Sequence, residues 1–242
     1  MKFIGIDLGW VSGASGLCCL NWQDEQLEIL ELTTKLEIAE ILTWIDKWIP
    51  SQEPGLIAVD APTIIINPTG MRLADKLTHK YFGRYHAGCY PANLSRPFAD
   101  RTVGLGKSLI ARNFNHAPII KPQQLGRYQI EVFPHPAMIN LFKLEKILKY
   151  KKGTLAQRQV ELEKLRHYIY DVLPQQEPVL NLNDYSIPTW SDRLRGKELK
   201  TVEDMLDSLI CAYIAAHWWY WGTVKNLVLG DGSTGYIIVP AP

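Results

Sequence analysis

The apolar positions change period several times along the chain, and each change marks an element. Phe3, Ile4, Ile6 and Leu8 are apolar without polar alternation, the pattern of a strand covered on both faces. Residues 15–20 and 26–32 read as two further strands joined by a polar turn. Residues 35–49 place apolar side chains at 38, 41, 42, 45, 48 and 49, a helical period that Pro50 stops. A short apolar strand at 56–59 follows and delivers Asp60 just before Ala61 and Pro62. Three strands, a helix and a strand predict a crossover that sets the fourth strand parallel beside the first.

From 63 to 126 the periodicity weakens, except around 73–81, and Pro, Gly, Asn and Tyr become common. Regularity returns at 127–133, a strand that carries Glu131 and runs into Pro134-His135-Pro136. Helices are expected over 137–148 and 154–173, separated by a short basic break at 150–153. Residues 174–200 read as a polar surface excursion and 201–221 as the last helix. Residues 227–229 and 236–239 read as a closing hairpin around Gly230-Asp231-Gly232. The expectation is one α/β domain over 1–242 with an insertion at about 63–126.

Composition adds little to this picture, but the distribution of charge adds much. With 47% hydrophobic and 21% charged residues the chain is that of an ordinary globular protein. Its net charge of +1 argues for no particular partner. Residues 71–128, however, hold ten Lys/Arg against two acids, a local +8, and the remainder is −7. A long one-signed insertion suits a polyanionic ligand better than it suits mere solvation. The four cysteines show no ligand-like spacing, which fits reduced thiols in a cytoplasm. No basic leader with an apolar core opens the chain, and no run nears the ~20 apolar residues of a membrane span. A cytoplasmic protein without membrane attachment is expected.

Three acids occupy unusual places. Asp7 lies within the first apolar strand between Gly5 and Gly9, which leave room for another backbone or a ligand. Asp60 ends the fourth strand and Glu131 lies in the fifth. Ends of parallel strands share one edge of a sheet, where such folds keep their sites. The plainer alternatives are turn aspartates for Asp7 and Asp60 and an ion pair, for instance with Arg127, for Glu131. In the last helix Asp204 and Asp207 stand three apart and project to one side. Thr201 as N-cap with Asp204 three residues on would make a capping box, and Glu203 a first-turn acid. Asp207 has no such explanation. Carboxylates gathered without a cation repel, and as hard oxygen donors they suit Mg²⁺ or Mn²⁺. Two such ions about 4 Å apart form the usual clamp for phosphodiester hydrolysis.

GIDLGW with Asp7, AVDAP with Asp60, EVFPHPA with Glu131 and EDMLDSLICAYIA with Asp207 together resemble the ribonuclease H-like superfamily. More closely, the chain resembles the predicted-nuclease family known as domain of unknown function 429. That resemblance extends through MRLAD and GRYHAGCYPAN in the insertion to the closing GDGSTGYIIVP. It implies a five-stranded mixed sheet with helices on both faces and a divalent-metal cluster of Asp7, Asp60, Glu131 and Asp207. The helical acids are similar to those of the Holliday-junction resolvase branch, which adds Asp204.

The expected activity is therefore metal-dependent hydrolysis of DNA or RNA. Arg72, Asp75 and Arg84 match the family-like pattern as phosphate contacts, with Asp75 orienting an arginine. Tyr85, His86 and Tyr90 offer aromatic faces to unpaired bases. His135 is a candidate proton shuttle, or equally a turn residue between prolines. Two rival readings remain. Asp7-Leu8-Gly9 and the 230–235 loop are similar to the phosphate loops of actin-like phosphotransferases, though only seven residues follow Gly235. The other rival is a nucleic-acid-binding scaffold that has lost catalysis.

Overall fold

The computed structural model describes residues 1–11, 13–183, 185, 187 and 196–242. Strand β1 (Lys2–Asp7) pairs antiparallel with β2 (Ser15–Gln23), which pairs antiparallel with β3 (Gln26–Lys35). Asp24 and Glu25 join the latter two at φ 50° and 60°, a left-handed two-residue connection that matches strand twist. Helix α1 (Ile38–Trp48) starts at a capping box of Glu37 and Glu40 and buries Ile41, Trp44 and Ile45. It returns the chain to β4 (Gly55–Val59), which lies parallel to β1 with Val59 level with Ile6.

The insertion contains α2 (Leu73–Phe82) and α3 (Ala99–Ile110). The second of these lacks a readable period because Gly104 and Gly106 interrupt it, yet Thr102, Leu105 and Leu109 form a buried stripe. After β5 (Asn115–His116) comes β6 (Arg127–Glu131), parallel to both β5 and β4. Helix α4 (Pro134–Leu141) begins at Pro134 rather than at 137, since proline is pre-shaped for the first helical position. It ends short of 148, with Lys143 at φ 53° just beyond. Helix α5 (Leu155–Val172) is capped by Thr154 and Gln157. Strand β7 (Val179–Asn181), within the stretch read as a surface excursion, pairs with β3. Helix α6 (Gly196–Trp221) precedes the hairpin of β8 (Asn226–Asp231) and β9 (Gly235–Pro240).

The main sheet runs β5-β6-β4-β1-β2-β3-β7, seven strands rather than the expected five. Both additions are edge strands of two and three residues, too short to show a period in sequence. Only β2 runs against the others, so the sheet is mixed but mostly parallel. Ile4, Ile6 and Leu8 pack against α1 and α3 on one face. On the other face, Phe3, Ala58 and Ile130 pack with α4, α5 and α6. Among the described residues no helix is long and apolar enough to cross a membrane.

Glycines set how closely α6 approaches the sheet. A Cβ at Gly5 would collide with the Ser208 carbonyl oxygen and the Ala212 nitrogen, and one at Gly16 with the Asp204 carbonyl. Gly16 lies opposite Asp7 in the β1–β2 register. The room that Gly5 leaves beside Asp7 is thus taken by the backbone of the helix that carries Asp204 and Asp207. Gly16→Ala is expected to destabilise the fold by about 1–3 kcal/mol through overpacking against backbone. Urea denaturation reads this directly, and an unchanged midpoint would contradict the close-approach account.

Candidate functional site

Strand alternation sorts the acids. Ile6 and Leu8 face α1 and α3, so Asp7 between them faces α6; Asp60, between Val59 and Ala61, does the same. The Asp60 amide donates to the Ile6 carbonyl, which continues the ladder and holds Asp60 beside the end of β1. From the helix, the Asp204 side chain reaches hydrogen-bonding contact with Asp7. Asp207, three residues on, is fully buried behind them. Four carboxylates from three separate segments therefore meet at the carboxyl ends of parallel strands.

Electrostatics record the crowding. Burial, and next the neighbouring Asp7 charge, raises the Asp204 carboxyl to about 7 and pushes Asp60 well above its ordinary range. Burial also raises Asp7, with Lys151 acting against the shift. Asp60 makes no ion pair or hydrogen bond through its carboxylate among the described residues. It is partly exposed to the cavity.

Glu131 lines the same cavity and adds to the rise of Asp60, but its carboxylate is already engaged. It lies level with Val59 in the β4–β6 register, so it shares the sheet face of Ile6 rather than that of Asp7. Both its oxygens accept from Arg72, at 2.8 Å from Nη1 and 2.6 Å from Nη2. Arg72 also donates to Asp75 Oδ1 from Nε and Nη2, and to the Ile64 carbonyl from Nη1. All five N–H donors of that guanidinium are thereby used inside the protein. The expectation of Arg72 as a phosphate contact is corrected on this ground: no donor remains. Asp75, fully buried, accepts from Arg72 and from the Arg72 and Ala92 amides, and so fixes the arginine in place. Burial raises the Glu131 carboxyl to about 7, with Arg72 pulling it down.

Two lysines and a tyrosine that the sequence did not single out complete the arrangement. Lys151 Nζ lies 2.6 Å from Asp207 Oδ2, and Tyr150 donates to Asp207 Oδ1 at 2.7 Å. The Lys151 ammonium is held protonated well above its usual range: burial opposes the charge, but Asp207 and Asp7 outweigh it. Lys200 pairs with Asp204 one helical turn away. The start of α6 at Gly196 makes Asp204 a mid-helix residue, so the Thr201 capping box does not form. Glu203 likewise lies beyond the first turn and pairs with Arg158 at 2.9 Å. The basic break at 150–153 was the available signal for Tyr150 and Lys151.

His135 also lines the cavity, beside Phe133 and Tyr150. Its Nδ1 is buried without a partner, and burial lowers the ring to about 4, so it is neutral at pH 7.

The carboxylates open into a cavity of about 700 Å³. Tyr90 borders it, whereas Arg84, Tyr85 and His86 do not. Arg84 instead bonds the Tyr85 hydroxyl and lies over that ring, in the turn that follows the C-terminal end of α2. Of the ten basic residues of 71–128, Arg72 alone is among the cavity's lining residues. Arg101, Arg112 and Arg127 are engaged with backbone carbonyls or Asp46. The cationic wall comes from Lys151, Lys152, Lys197 and Lys200. Among the described residues no three His, Cys, Asp or Glu side chains stand in the geometry of a formed metal site. The Lys200 ammonium occupies an Asp204 oxygen, while Lys151 and the Tyr150 hydroxyl take the two oxygens of Asp207.

Asp204 at about 7 predicts a pH signature of the metal-free protein. Between its unfolded value near 3.8 and about 7 the folded state binds a proton that the unfolded chain does not. Stability is therefore lost as pH rises through that window, the reverse of an ordinary salt-bridged aspartate. Buried His116, His135 and His217, each lowered to about 4, act in the opposite sense. The isolating quantity is the stability difference between Asp204→Asn and the parent in chelator. It is expected to shift in favour of the variant from pH 4 to 7, and a pH-independent difference would contradict the assignment.

Fold and cavity together define an α/β protein with an acidic site at the strand ends of a mostly parallel sheet. Residues 5–228 match the sequence model of a family described as protein of unknown function (DUF429), and the chain belongs to that family. No curated protein and no solved structure matches it.

Proposed function

We propose that this protein is a metal-dependent phosphodiester hydrolase of ribonuclease H-like fold that acts on DNA or RNA. The observation that carries the reading is the meeting of Asp7, Asp60 and Asp204 on one cavity, where burial and mutual repulsion raise all three carboxyls and leave room for a cation. The mixed, mostly parallel sheet with helices on both faces supports the reading at the level of the α/β class.

The donor set fits Mg²⁺ or Mn²⁺ in chemistry: hard, crowded oxygens, one of them on an unpaired Asp60. Asp7, Asp60 and Asp204 would hold the ions, which supply nucleophile activation and neutralise charge on the leaving oxygen. Lys200 would release Asp204 on loading. Asp207 anchors Lys151 from behind and positions its ammonium at the cavity wall. Neutral His135 is able to accept a proton at Nδ1. Glu131 acts through Arg72, as a fixed post that holds α2 against the sheet rather than as a ligand.

No observation favours the actin-like alternative. Asp231 closes its own turn by accepting from Ser233 and Thr234, and the 230–235 loop does not line the cavity. The test is a panel of labelled single-stranded, duplex, hybrid and branched substrates with Mg²⁺ or Mn²⁺. Chelator-sensitive cleavage of at least one is expected; an intact panel in both metals overturns the proposal.

A further inference from the structure

We infer that the cavity is a subsite for one unpaired nucleotide unit, its base against Trp10 and Tyr90 and its phosphate on Lys152 and Lys197. This deepens the proposed hydrolysis and rests on it for the role of the carboxylate floor. The volume of about 700 Å³ falls in the range that encloses a single small-molecule-sized ligand. The cavity is a half-open pocket on the scale of one unit rather than a groove along a duplex, and a base reaches the floor of such a pocket only out of the stack.

The two walls differ in chemistry. On one, Trp10 meets Tyr90 edge-on with ring centroids 6.2 Å apart and leans on Phe98 at 4.5 Å. Arg96 lies over the Tyr90 ring, 4.9 Å from its centroid, so an aromatic that is 58% exposed is nonetheless braced. A braced, solvent-facing aromatic corner is a stacking platform whose ordering cost is already met. On the other wall, Lys151 and Lys200 are committed to Asp207 and Asp204. Lys152 and Lys197 are exposed and make no ion pair among the described residues. Among the described residues that line the cavity, those two ammonium groups are the ones left for a phosphate. Carboxylate floor, lysine wall and aromatic wall match the acidic-metal, phosphate and base requirements of one nucleotide.

Calorimetric binding to the full chain in Ca²⁺ buffer tests this with adenosine 5′-monophosphate and ribose 5-phosphate, which share a phosphate and differ by the base. The nucleotide is expected to bind about tenfold or more tightly than the sugar phosphate. Tyr90→Ala should erase that difference, and Lys152→Gln with Lys197→Gln should weaken both ligands about tenfold. Both sites are exposed, and Trp10→Phe, which keeps the aromatic contact, should retain base preference. Displacement of the nucleotide by single-stranded but not duplex DNA assigns the unit to a strand; displacement by neither assigns it to a free nucleotide. Equal affinity for the two small ligands, or displacement by duplex as effective as by single strand, overturns the subsite. Cleavage that persists with the subsite disproved leaves the hydrolase reading standing, and nucleotide binding without any cleavage does the reverse.

Discussion

Asp7→Asn is expected to lower metal-dependent cleavage by about 10²–10³-fold or more, the scale lost when one preorganised electrostatic element is removed. The fold should be untouched. Asp7 is buried beside Asp204, Asp207 and Asp60: its charge raises the carboxyls of Asp204 and Asp60, and after burial the Asp207 charge helps to raise its own. Replacing it with a neutral, nearly isosteric amide relieves that repulsion, so the melting temperature of the metal-free variant should equal or exceed the parent's. Catalysis and stability move in opposite directions at a functional site of this kind, because the crowding serves the bound cation and not the bare fold. A variant that cleaves at the parental rate removes Asp7 from the site. One that fails to fold shows that Asp7 is structural.

Arg72→Met carries the largest expected stability effect, a loss of about 3–5 kcal/mol. The side chains of Arg72, Asp75 and Glu131 are 4% exposed or less, and removing the guanidinium leaves two buried carboxylates without their cation. Arg72→Lys should recover only part of the loss. One ammonium cannot span Glu131, Asp75 and the Ile64 carbonyl as the planar fork does. Chemical denaturation of the two variants measures this. A change under about 1 kcal/mol for Arg72→Met would show that the guanidinium is free to serve a ligand instead.

The order of the first four strands was legible because their period and breaks are local properties of the chain. That Asp7 and Asp60 share one sheet edge was legible too, since ends of neighbouring parallel strands lie together, although a turn aspartate explained either residue alone. Glu131 shows where that logic stops. Its partner Arg72 is 59 residues away, and which face of the sheet it takes depends on a register that sequence does not print. The plain alternative of an ion pair was the right kind of answer with the wrong arginine: Arg127 donates to the carbonyls of Pro50, Glu53 and Arg112. Charge counting along 71–128 did not locate the cavity's own cations, for a similar reason. Arginines at 72, 101, 112 and 127 tie the insertion to the body through carbonyls and acids. The cavity's cations come instead from a four-residue break and the first turns of α6. The basic break marked Lys151 as part of a charged run, but its role lies in a tertiary contact with Asp207 that the run does not show.

The most direct test of the carboxylate cluster as a cation site is calorimetric titration with Mn²⁺ near neutral pH. Saturable binding is predicted, with a heat that varies with the ionisation enthalpy of the buffer. Asp204, at about 7, must shed a proton when Lys200 yields to the ion. The same titration of Asp7→Asn should show that binding weakened or lost. Absence of saturable heat in the parent, or an identical isotherm in the variant, would contradict the account.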